Sequence, residues 1–95
     1  MGLNINQNAV FQTLTDGQIA TISKARGVSV LVSANTDATI QTISDDDIVL
    51  SSLTLPESQS LEITADGGNL LQTIRVTCAG GSTYIVSLGG QIVVS

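Results

Sequence analysis

Residues 53–68, LTLPESQSLEITADGG, decide the fold class of this chain. Leu53 and Leu55 alternate with Thr54, Pro56 to Gln59 interrupt, and Leu61 and Ile63 alternate with Glu62 and Thr64. In an extended chain successive side chains point to opposite faces, so each half reads as a half-buried strand. Proline has no N–H to give to a ladder and its ring presets φ for a turn, which places Pro56 at the bend. Asp66-Gly67-Gly68 ends the unit with residues that tolerate positive φ. The stretch predicts two strands paired as a hairpin.

The same pattern extends in both directions. Upstream, strands are expected over Val10–Leu14, Gln18–Lys24 and Val28–Ser33, with Val28, Val30 and Val32 on one face. Ala38–Ile43 is a further strand in which Ile40 and Ile43 lie on opposite parities, the mark of a bulge or of an early exit from the strand. Ile48–Leu55 follows the Asp45-Asp46-Asp47 run. Downstream, Leu70–Cys78 puts Ile74, Val76 and Cys78 on one parity, so Cys78 is expected to point inward. In Ser82–Leu88 the alternating residues are Tyr84, Val86 and Leu88, and Gln91–Ser95 closes the chain. Every glycine after Gly2 falls between these runs. Short strands punctuated in this way, with no helical periodicity, predict an all-β domain over residues 10–95. The expected architecture is a single small antiparallel β-sandwich or barrel of about eight short strands, of jelly-roll or immunoglobulin-like type. Residues 1–9 form an amide-rich N-terminal arm, with Leu3 and Ile5 on one parity.

Composition narrows the function. The 95 residues hold one cysteine and no histidine, so neither an intrachain disulfide nor a tetrahedral zinc site can reinforce so small a core. Oligomerisation is the remaining common device. Ile and Val together number 19 and Thr 11, which suits pleated surfaces. Ser, Thr, Asn and Gln total 34 against 11 charged residues. A surface this poor in charge suits a protein wedged among other proteins, because charge is depleted at interface centres. Lys24, Arg26 and Arg75 face eight carboxylates, for a net charge of −5. Three cations make no basic stripe and two aromatics, Phe11 and Tyr84, make no stacking platform for bases, so no nucleic-acid partner is expected. No run approaches the ~18 apolar residues of a membrane span, and the N-terminus lacks a signal-peptide pattern. The expectation is a soluble chain made in a host cytoplasm.

Chemistry is scarce. Without histidine a serine nucleophile needs a lysine or amine as base, and no Ser-x-x-Lys element precedes Lys24, the only lysine. The glycine pairs lack the lysine and helix of a phosphate loop. Asp45-Asp46-Asp47 lacks the alternate spacing of a calcium loop and reads first as a solvated turn. No enzyme activity, cofactor or metal site is expected.

The 53–68 segment resembles a short hairpin common in small phage virion proteins, with Glu57 where a glycine often sits. The whole-chain profile, small, acidic, all-β and histidine-free with a polar arm, resembles capsid decoration (cement) proteins. That resemblance implies a viral structural protein on the capsid surface of a virion, binding a major capsid protein lattice as a homo-oligomer, with a trimer favoured over a dimer. A tail-fibre or baseplate module and a carbohydrate-binding sandwich are the alternatives, the latter weakened by the absence of tryptophan. The candidate interface residues are Leu3, Ile5, Val10 and Phe11 on the arm side, and Ile92 and Val94 on the last strand.

Overall fold

The computed structural model describes residues 9–95, and the arm residues Leu3 and Ile5 lie outside that range. Nine strands follow one another: β1 (Ala9–Thr15), β2 (Ile19–Ser23), β3 (Gly27–Val32), β4 (Thr36–Ile43), β5 (Val49–Leu55), β6 (Ser60–Thr64), β7 (Thr73–Gly80), β8 (Ser82–Leu88) and β9 (Gln91–Val94). They form a four-stranded sheet, β1-β8-β3-β6, and a five-stranded sheet, β5-β4-β7-β2-β9. Every pairing is antiparallel. Only the β4–β5 connection stays within one sheet; every other one crosses to the opposite sheet. This interleaving is the jelly-roll arrangement of eight strands, with β9 added beside β2.

The stretch that announced the fold is therefore not a hairpin. β5 pairs with β4 and β6 pairs with β3, so residues 53–68 climb from one sheet to the other. Pro56–Gln59 make the corner: Ser58 takes φ +61°, and the Gln59 N–H donates to the Pro56 carbonyl. The Ser58 N–H donates to the carbonyl of Ser33, and the Val32 N–H donates to that of Gln59, which ties the corner to the end of β3. Alternation reports that strands exist and which faces they show; it does not report which strands pair.

The core lies between the sheets. Val28, Val30, Val32, Leu14 and Ile85 from the four-stranded sheet meet Ala20, Ile22, Ala38, Ile40, Ile74, Val76 and Cys78 from the five-stranded one. The inward position of Cys78 agrees with its parity, and it is buried. The irregularity expected in β4 falls between Thr42 and Ile43: Ile43 pairs with Val49 while Thr42 pairs with Ser51, leaving Leu50 as the extra residue of a bulge. One expectation needs correction. β7 begins at Thr73, since the Leu71 N–H donates to the Ala25 carbonyl; Leu71 packs on the core while Leu70 is exposed. In β8 the inward residues are Thr83, Ile85 and Ser87, whereas Tyr84, Val86 and Leu88 face outward.

Candidate functional site

Two surfaces depart from an ordinary polar exterior. The first is the β4–β5 hairpin. Asp45, Asp46 and Asp47 are all exposed in its turn, where Asp47 adopts φ +63° and its N–H donates to the Ser44 carbonyl. The Ser44 hydroxyl accepts from the Ile48 N–H and closes the turn. Arg75 reaches Asp47 at 3.9 Å, a loose pair in solvent. Among the described residues no three potential metal ligands converge, and the aspartates form a solvated turn. Beyond them the hairpin is apolar. Ile48, Val49, Leu50 and Leu53 are exposed by 58, 46, 56 and 48%. The bulge explains part of this, because Leu50 has no partner across the ladder and the register of the inward row shifts there.

β5 is also an edge strand, as are β1, β6 and β9. Sheet edges present unpaired N–H and C=O groups, and soluble proteins commonly guard them with charge. Here β1, β5 and β9 carry no charged residue, and β6 carries only Glu62.

The second surface is the outer face of the four-stranded sheet. The register aligns Thr13, Tyr84, Leu31 and Ser60 in one row and Phe11, Val86, Ser29 and Glu62 in the next. Phe11, Tyr84 and Leu31 are exposed by 65, 45 and 48%. Phe11 lies opposite Val86, two residues from Tyr84, so the only two aromatic residues of the chain are diagonal neighbours on one open face. Between β8, β3 and β6 this face holds an open groove of about 430 Å³.

Of the residues anticipated from the sequence, Val10 and Phe11 lie in β1, where a strand was expected, with Phe11 turned outward and Val10 on the inward parity at the sandwich rim. Ile92 and Val94 pack against the core, opposite Ile22 and Ala20; the exposed side chains of β9 are Gln91 and Val93. The run Ile92-Val93-Val94 is apolar at every position, so its inward phase was not readable. Tyr84, Leu31 and the hairpin residues Ile48, Val49 and Leu50 were missed. The available signal was a strand, Ser82–Leu88, with Tyr84, Val86 and Leu88 on one parity and the hydroxyl residues Thr83 and Ser87 flanking Ile85 on the other.

The outer face of the five-stranded sheet differs from both surfaces. It is a mostly polar array of Thr39, Thr54, Thr77, Thr21, Gln41 and Ser52 that carries two charges, Arg75 and, opposite Ala79, Asp37. Compared with known proteins, the chain matches no family model, no curated sequence and no solved structure.

Proposed function

We propose that this chain is a non-enzymatic structural protein of a virion, a capsid decoration protein that assembles with copies of itself, as a trimer, and sits on a lattice of major capsid protein. The observation that carries the reading is the hairpin, where four large aliphatic side chains stand about half exposed beside an edge strand that bears no charge. A neighbouring chain that covers it removes apolar surface from water and caps the open ladder. The jelly-roll order supports the reading by analogy only, since this architecture recurs in viral capsid domains and also in lectins. Its mechanism is passive. Many copies each add modest contacts across subunit junctions, and repetition on a lattice converts modest affinity into avidity.

The test uses a double substitution, Ile48→Ser with Leu50→Ser. Each side chain is more than half exposed, so the monomer loses little. At an interface each forfeits roughly half of the ~1.5–3 kcal/mol that full burial contributes, about 2 kcal/mol for the pair. That is on the order of thirtyfold in affinity. Shells produced with the parent protein should carry it through purification and survive heating better than bare shells, while the double variant should be lost on dilution. Equal occupancy by parent and variant, or no occupancy by the parent, contradicts the reading.

A further inference from the structure

The groove on the outer face of the four-stranded sheet has a built chemistry of its own, separate from the hairpin and independent of the assembly reading. Ser29 forms its floor. The side chain is small, and Val86, Leu31 and Glu62 beside it all reach further from the sheet. Tyr84 stands on one side with its ring exposed, and Ser60 and Glu62 stand on the other along β6. An aromatic ring, two hydroxyls and a carboxylate thus converge on one trough.

We propose that this groove binds a neutral saccharide. The ring of Tyr84 offers an apolar face to the C–H side of a pyranose, with Leu31 and Val86 extending the platform. Glu62 accepts two hydrogen bonds from neighbouring sugar hydroxyls, bonds strengthened by its charge. Ser29 and Ser60 both donate and accept, which matches hydroxyl groups that do the same. Phe11, diagonal to Tyr84, lengthens the aromatic surface for a second sugar unit.

Charge selects the ligand class. Lys24 and Arg26 lie in the β2–β3 connection and Arg75 is on the opposite sheet, so among the described residues this face holds no cation. Phosphorylated, sulfated or acidic glycans find no partner there and meet a carboxylate. The same argument disfavours a second copy of the chain on this face. A copy would bring no cation to Glu62 if it docked face to face, and would bury a carboxylate without compensation. A polyol keeps that carboxylate hydrogen-bonded.

The test is an NMR titration of the full-length, nitrogen-15-labelled protein with cellohexaose, maltohexaose and N-acetylchitohexaose in turn. Each is taken to about 10 mM, enough to register a millimolar Kd. At least one probe should produce saturable shifts at the amides of Ser29, Leu31, Glu62 and Tyr84. Tyr84→Ala and Glu62→Gln should each weaken that binding about tenfold, while Tyr84→Phe, which keeps the ring, should retain most of it. Both positions are at the surface, so the melting temperatures of the three variants should stay close to the parent value. The proposal is overturned if none of the three probes shifts these amides, if shifts map elsewhere, or if Glu62→Gln and Tyr84→Ala bind like the parent. It is equally overturned if Tyr84→Ala changes the sedimentation of the ligand-free protein, because that face is then a contact between copies.

Discussion

Replacing Gly80 by alanine should be among the most damaging single-methyl changes available to this fold. Gly80 ends β7 at the corner where the chain crosses to β8, and it holds φ +100°, where an L side chain is strained. Forcing a residue with a Cβ into left-handed backbone costs about 1–2 kcal/mol. A Cβ built there stands 2.7 Å from the Asn35 carbonyl oxygen and 3.5 Å from the Thr36 Cα. The first is a clash, with backbone of the β3–β4 connection, so no side chain can swing away; the second is an ordinary contact. Relief requires moving one crossing loop off another, and overpacking of this kind costs about 1–3 kcal/mol. The shift also loosens the bond from the Gly80 N–H to Asp16 Oδ1, now 2.9 Å. Together the terms come to roughly 2–5 kcal/mol. In a domain of this size that lowers Tm by about 10 °C or more. Gly68→Ala is the control, because a Cβ there meets nothing within 4 Å and φ is not positive. It should be neutral or stabilise by up to about 1 kcal/mol. Thermal unfolding of both variants by circular dichroism decides the matter. If Gly80→Ala melts within about 3 °C of Gly68→Ala, the packed double crossing at this corner is wrong.

Two further outcomes follow from the core. The Thr83 hydroxyl is fully buried and has no hydrogen-bond partner among the described residues, so Thr83→Val, which keeps the shape and removes the orphaned oxygen, should stabilise by about 1 kcal/mol and raise Tm by roughly 4–8 °C; a lower Tm would mean the hydroxyl is satisfied. Cys78 is exposed by 1%, so a thiol reagent should modify the native protein only at the rate at which it opens, and rapid stoichiometric labelling would contradict its inward position.

Much of this architecture was legible in the sequence because its signals are local. Alternation around Val28, Val30 and Val32 and the glycine-marked breaks locate the strands to within a residue or two, apart from the start of β7. Pairing is not local. Residues 53–68 look like a hairpin because a hairpin and a sheet-crossing corner share the same alternation and the same proline-marked bend. What separates them is whether β6 is more stable beside β5 or beside β3, and β3 supplies Val28 and Val30 opposite Ile63 and Leu61. The candidate surfaces were only partly readable for a related reason. A large apolar residue on one parity is ordinarily taken as core, yet β8 places Tyr84 outside and Ser87 inside, where the Ser87 hydroxyl donates to the Gly90 carbonyl at 3.2 Å. The hairpin aliphatics follow a bulge that shifts the register, and β9 is apolar at three successive positions. For β8 and β9 face assignment depends on a neighbouring strand far away in sequence, and for β5 on a bulge against the adjacent β4.

Self-assembly is the claim on which the functional reading rests, and sedimentation velocity of the full-length protein tests it most directly. At micromolar concentration the parent should sediment as a trimer of 9.8 kDa chains, and Ile48→Ser with Leu50→Ser should shift it toward the monomer while its melting curve still shows a folded β-domain. A parent that remains a 9.8 kDa monomer at every concentration, or a double variant that assembles as the parent does, would contradict it.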